Sequence, residues 1–192
     1  MVKAAAALAA LAVLLAGCGG TDTQVDEPAE TESTVTAGSP SGLPPEYGVP
    51  AIADPLDPGR FATDPCALLA PEQRSDLGLP GTEQEELAGT VECLLHPPGD
   101  TVTTVQLQLM TDRGLADLVA QCRGANAPAA CTTWAPTTVE RYPAILDSGR
   151  QCRLMVGVAE QAVLLVNDVA EPKCRRVTEI AAAALTTLRE EP

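Results

Sequence analysis

Hydrophobic and polar positions change period several times along this chain, and each change marks an element. Asp64-Pro65 supplies an N-cap and a first-position proline, a second start at Pro71 runs to a stop at Gly78, and together they predict a broken first helix. Val91, Cys93 and Leu95 alternate with Glu92 and Leu94 up to the turn composition His96-Pro97-Pro98-Gly99-Asp100. Beyond it Val105, Leu107 and Leu109 alternate with Thr104, Gln106 and Gln108, so two antiparallel strands are expected. Leu115, Leu118, Val119 and Cys122 recur at helical spacing ahead of a loop from Gly124 to Pro136. Cys152, Leu154, Val156 and Val158 share one strand face, Ala159-Glu160-Gln161 turns, and the apolar run Ala162 to Val166 reads as a central strand. A last helix opens at Pro172 and carries Cys174, Val177, Ile180, Ala181, Ala184, Leu185 and Leu188 on one stripe. The predicted fold is α+β: an antiparallel sheet packed by a broken N-terminal helix, a middle helix and a C-terminal helix.

Ahead of this domain the pattern is different. One charge at Lys3 precedes an unbroken apolar run from Ala4 to Ala16, which as a helix reaches roughly 20 Å at about 1.5 Å per residue. A bilayer core of about 30 Å needs about 20 apolar residues, so the run reads as a signal-peptide core over residues 1–17 and not as a permanent span. The tetrapeptide Leu15-Ala16-Gly17-Cys18 resembles the lipobox of bacterial lipoproteins. The resemblance implies cleavage before Cys18 and a diacylglycerol on its thiol; an ordinary secreted protein with Cys18 incidental is the alternative. Each buried methylene contributes about 0.8 kcal/mol, so two acyl chains on one residue anchor stably where one is marginal.

Residues 18–60 read as a tether, because Pro28, Pro40, Pro44, Pro45, Pro50, Pro55 and Pro58 sit among Thr, Ser and Gly with no apolar face. Eight acids there (Asp22, Asp26, Glu27, Glu30, Glu32, Glu46, Asp54, Asp57) face the single base Arg60. The segment therefore repels itself and an anionic membrane surface, and extends beyond the roughly 35 to 40 Å of a random coil. Residues 61–192 are then one globular domain.

Charge and composition narrow the function. The whole chain of 192 residues carries 12 basic and 26 acidic side chains, a net charge of -14. Removing Lys3, Arg60 and the eight tether acids leaves 10 bases against 18 acids in the domain. Such a balance repels phosphate backbones, so nucleic-acid partners are excluded. Aromatics are 2% of the chain, too few for a base-stacking platform or an aromatic cage for sugars or cations.

Seven cysteines less Cys18 leave Cys66, Cys93, Cys122, Cys131, Cys152 and Cys174, an even number in a chain destined for an oxidising space. Three disulfides are expected from 15 possible pairings. Cys93 and Cys152 fall on apolar strand faces and Cys66 and Cys174 near apolar helix starts, while Cys122 and Cys131 close a short local loop. The expected set is Cys66 with Cys174, Cys93 with Cys152, and Cys122 with Cys131. The clustered thiolates of a zinc or redox site, such as Cys-x-x-Cys, do not occur, and neither a metal nor a cofactor is expected beyond the lipid on Cys18.

Catalytic groups are sparse. His96 is the single histidine and sits beside a proline-rich turn; no Gly-x-Ser-x-Gly elbow or Gly-x-x-x-x-Gly-Lys loop accompanies it. Glu83, Glu85 and Glu86 evoke a carboxylate pair but read as a solvated acidic edge. Lys173, Arg175 and Arg176 with Arg150 and Arg153 form either a basic spot or an exposed helix rim. Trp134-Ala135-Pro136 either presents an indole to a ligand or plugs a sheet edge. The polar positions Thr101, Thr103 or Thr104, Gln106 and Gln108 line a groove or meet water.

The run Asp64-Pro65-Cys66-Ala67-Leu68-Leu69, then Pro71-Glu72 and Leu77-Gly78, with Cys93, Cys152 and Cys174 in order, resembles a family of actinobacterial lipoproteins known as domain of unknown function 3558. Family members often carry Cys-x-Trp where this chain has Cys93-Leu94-Leu95, and Cys122 and Cys131 look like additions. The resemblance covers about residues 61 to 189, implies a lipid-anchored envelope domain, and transfers no catalytic residue. The resulting expectation is a non-enzymatic module on the outer face of the cell membrane, held by Cys18, that binds an envelope protein or a small apolar or envelope ligand. Its rivals are an envelope hydrolase of esterase, peptidase or glycosidase class using His96 or an acid pair, and a structural or co-receptor lipoprotein without a small ligand.

Overall fold

The structure is a computed structural model that describes residues 48–87, 89–99, 105–123, 127–170 and 174–190. Cys18, the signal peptide, the tether up to residue 47, Thr101, Thr103, Thr104 and Lys173 lie outside the described residues.

Seven strands form one antiparallel sheet: β1 (Gly81–Leu87), β2 (Thr90–His96), β3 (Val105–Met110), β4 (Trp134–Val139), β5 (Tyr142–Asp147), β6 (Cys152–Ala159) and β7 (Ala162–Asp168). Their order is β1-β2-β3-β7-β6-β5-β4, so the apolar strand expected to be central is the middle one of seven. The helices are α1 (Pro71–Asp76), α2 (Leu115–Gln121) and α3 (Arg175–Glu190), with short 3-10 turns at Gly59–Ala62, Pro65–Leu68 and Ala129–Thr133. The broken first helix, the middle helix and the C-terminal helix are thus all present, in an α+β fold braced by disulfides.

One face of the sheet holds the main core. Its inward positions Leu95, Leu107, Leu154, Val156, Leu164 and Val166 meet Val177, Ile180, Ala181, Ala184, Leu185 and Leu188, the stripe read from the sequence of α3. Full burial of a leucine or isoleucine contributes about 1.5–3 kcal/mol, so this contact is the principal stabilising layer. Gln73 ties α1 to it, donating from Nε2 to the Ala183 carbonyl while its Oε1 accepts from Thr187 and from the Ala70 amide.

The other face is roofed by α2 alone among the described helices. Leu115 and Val119 pack on Ile145, Met155 and Val163. The approach is close because Gly114 has no side chain: a Cβ there would lie 1.9 Å from the Glu160 carbonyl oxygen. Gly157 matters similarly, since its Cβ would press on Leu115 at 3.2 Å.

Three strands were not foreseen. β1 is built of Thr, Gln and Glu, a composition poor in strand formers, and survives as an edge strand whose charges block further pairing. β4 contains Pro136, which an edge strand tolerates because its outer N–H side needs no partner. In β5, Pro143 lies just outside the ladder to β6, which begins at Ala144.

The tether ends earlier than residue 60. Residues 48–60 lie against the domain: the Leu56 amide donates to the Val158 carbonyl at 2.8 Å, the Tyr142 hydroxyl to the Asp54 carbonyl at 3.1 Å, and Ile52 and Leu56 pack on the core. Proline density masked these two anchoring side chains.

Two of the three expected bridges are also corrected. Cys122–Cys131 forms, but Cys66 joins Cys93 and Cys152 joins Cys174. β2 and β6 are three strand positions apart, about 14 Å at 4.8 Å per strand, so Cys93 cannot reach Cys152 although both face the same core. Each long bridge instead runs between layers, one from the Pro65–Leu68 turn to β2 and one from the start of α3 to β6.

Candidate functional site

The half-roofed face carries a polar row. Reading across the ladder, Gln106 on β3 pairs with Asn167 on β7, Asn167 with Arg153 on β6, Arg153 with Asp147 on β5, and Asp147 with Trp134 on β4. Register partners share a face, so an amide, a second amide, a guanidinium, a carboxylate and an indole stand side by side. Three strand spacings separate Asn167 from Trp134, roughly 14 Å.

The row is only partly satisfied. Asn167 is 6% exposed and its Nδ2 donates to Gln106 Oε1 at 2.6 Å. Its Oδ1 is shut off from solvent and accepts nothing among the described residues. The Nε of Arg153 and the Nε1 of Trp134 are likewise enclosed, with no acceptor among the described residues. Asp147, 7% exposed, accepts at Oδ1 from the Thr133 hydroxyl at 2.6 Å and the Gly149 amide at 3.1 Å. Each unpaired enclosed group costs about 1–3 kcal/mol, and native domains hold few of them. Here three stand in one row.

Next to the row's β4 end an open groove of about 350 Å³ lies between Val49-Pro50, Leu115 of α2, and Pro136, Thr138 and Ile145. Pro136 and Ile145 are partners in the register and lie two residues along their strands from Trp134 and Asp147. At the opposite end the face is acidic: Glu85 on β1 is paired directly with Glu92 on β2. Partial burial first, and then the Glu85 charge, raises the Glu92 carboxyl above the ordinary range for a glutamate.

A carboxyl raised in the folded state contributes stability that is fully present below its unfolded pKa and is lost as pH rises through the folded one. Glu92→Gln is therefore expected to stabilise the domain by about 0.5 kcal/mol at neutral pH, with the gain shrinking in acid and in salt. Urea titrations at pH 4 and pH 7.5 check this; an equal effect at both would contradict it.

The structure disperses several sequence candidates. Glu83 and Glu86 are three residues apart on β1, hence on opposite faces, and cannot flank one bond. His96 ends β2 with its Nδ1 enclosed and unpartnered among the described residues. The described cations Arg175, Arg176 and Arg153 form no single spot. Arg175 is an exposed partner of Glu179, Arg176 bonds Asp168 on the α3 side, and Arg153 points to the α2 side. Trp134 packs against the α2 cluster. Asn167 and Asp147 were missed, because each directly follows an apolar run and reads as its end.

A family model described as protein of unknown function matches residues 13–187. The chain belongs to the DUF3558 family. No curated protein and no solved structure matches it. As a DUF3558 member it is described by a polar row, an adjoining groove and an acidic edge on one sheet face, with no group of three or more potential metal ligands among the described residues.

Proposed function

We propose that this DUF3558 protein is an extracytoplasmic lipoprotein, anchored through acylated Cys18 to the outer face of the cell membrane, that binds an envelope ligand without transforming it. The observation that carries the binding part is the row of enclosed, unpartnered polar atoms on the half-roofed sheet face. The lipobox Leu15 to Cys18 and the acidic spacer carry the location. No helix among the described residues is long and apolar enough to cross a membrane. All six domain cysteines are bridged, which removes thiolate nucleophiles, and no hydrogen bond from Nδ1 orients His96 as a general base.

Native mass spectrometry of the protein extracted from its own membranes is the test of binding, run alongside crosslinking in cells. A co-isolated small molecule, glycan, peptide or partner is expected. Bare protein in every mild detergent, with no crosslinked neighbour, would overturn the reading. Turnover of ester, peptide or glycoside probes that vanishes in His96→Ala would replace it with the hydrolase alternative.

A further inference from the structure

The polar row fixes more than the existence of a ligand. Arg153 Nε–H is a donor without an acceptor, Asn167 Oδ1 is an acceptor without a donor, and the two residues are direct cross-strand partners. A group that satisfies both at once must donate and accept from the same place. A hydroxyl does this; a carboxylate or phosphate, acceptors only when ionised, does not.

The remaining members extend the pattern. Trp134 Nε1–H is a second donor without an acceptor, and Asp147, whose Oδ1 is engaged by Thr133 and Gly149, offers its other oxygen to a donor. The row therefore alternates acceptor, donor, acceptor and donor from Asn167 to Trp134, the complement of a chain of hydroxyls. Charge points the same way. One guanidinium stands in register with Asp147 in a domain with an acid excess, so a polyanion is disfavoured and an uncharged ligand is not.

On these grounds, and resting on the binding reading above, we infer that the row Gln106–Asn167–Arg153–Asp147–Trp134 binds an uncharged glycosyl group, with the neighbouring groove taking its less polar end. The roughly 14 Å from Asn167 to Trp134 has room for roughly two or three sugar rings. Gln106, Arg153 and Trp134 are each half-buried, so the row opens to the surface through them. Free oligosaccharide and glycolipid headgroup share this chemistry.

The chain contains one tryptophan, and it lies in the row, so its emission reports occupancy directly. The full mature protein in detergent is titrated with maltotriose, chitotriose and xylotriose, and separately with vesicles containing a dihexosyl diacylglycerol. A saturable change in emission at or below millimolar concentration is expected for at least one probe. Response to a soluble trisaccharide assigns a glycan, and response to the vesicles alone, absent with plain lipid vesicles, assigns a headgroup. Asn167→Asp, which pairs with Arg153 and removes the open acceptor and donor together, is expected to weaken binding roughly 10- to 100-fold. Arg153→Lys loses the fork at constant charge and is expected to weaken it at least severalfold, while Glu83→Gln on the acidic edge leaves it unchanged. Unchanged thermal midpoints identify the variants that remain folded. Silence of the whole panel, or binding indifferent to both row substitutions in folded protein, overturns the inference. A co-isolated ligand of other chemistry with a silent panel would sink the glycosyl assignment yet keep the binding module; bare protein with no crosslinked neighbour and a silent panel sinks both.

Discussion

Arg176→Met is expected to destabilise the domain by about 3–5 kcal/mol, among the largest losses available from one side chain. Asp168 closes β7 on the α3 side of the sheet, with no exposed surface, and its carboxylate accepts from Arg176 Nε at 2.6 Å and from the Ala170 amide at 2.9 Å. Methionine retains the packing of the arginine stem but removes the Arg176 charge from a fully enclosed carboxylate. A partner that was itself well solvated would make the loss small; the Arg176 side chain is 25% exposed and Asp168 0%, so the cost falls on the enclosed acid. Chemical denaturation of both proteins at neutral pH reads the difference. A loss under 1 kcal/mol at neutral pH would mean that the pair is a surface contact in solution.

The second large effect concerns the bridge beside that pair. Cys152 is the register partner of Asp168, and Cys174 immediately precedes α3, so their disulfide clamps the helix start to the sheet. The sequence separation is 22 residues, and chain entropy alone gives about 3.5 kcal/mol for a loop of that size, against about 2.7 for Cys122–Cys131 with its separation of 9. Replacing Cys152 and Cys174 together by alanine is expected to cost at least the first amount, since two buried sulfurs are also lost. Replacing Cys122 and Cys131, both partly or fully outside the main core, is expected to cost less. Thermal midpoints of the two double variants rank them, and the reverse order would contradict this placement of the bridges.

What was readable in the sequence followed from periodicity over long apolar runs. The α3 stripe, the β6–β7 hairpin and the Asp64 to Gly78 break all carry many concordant positions, so each was visible without tertiary information. Cysteine pairing was not. Parity placed Cys93 and Cys152 on one face correctly, but β3 pairs with β7 across a long intervening segment, and that crossover decides which sulfurs meet. β1 was illegible because Thr, Glu and Gln at an edge obey no burial pattern. Within the row, Trp134 and Gln106 stood out by type and alternation. Arg153 was grouped with Arg150 by proximity in sequence, whereas strand parity carries it to the face opposite Cys152. Asn167 and Asp147 read as strand ends, since a single polar residue after an apolar run has the same appearance whether it stops a strand or equips one.

Export and anchoring of the chain are both addressed by intact-mass analysis of the membrane fraction, with thiols alkylated before and after reduction. The expected species begins at Cys18, carries a diacylglyceryl group on that sulfur, and yields six further alkylations only after reduction. A chain that retains Met1, resides in the cytosolic fraction and alkylates at all seven cysteines without reduction would contradict it.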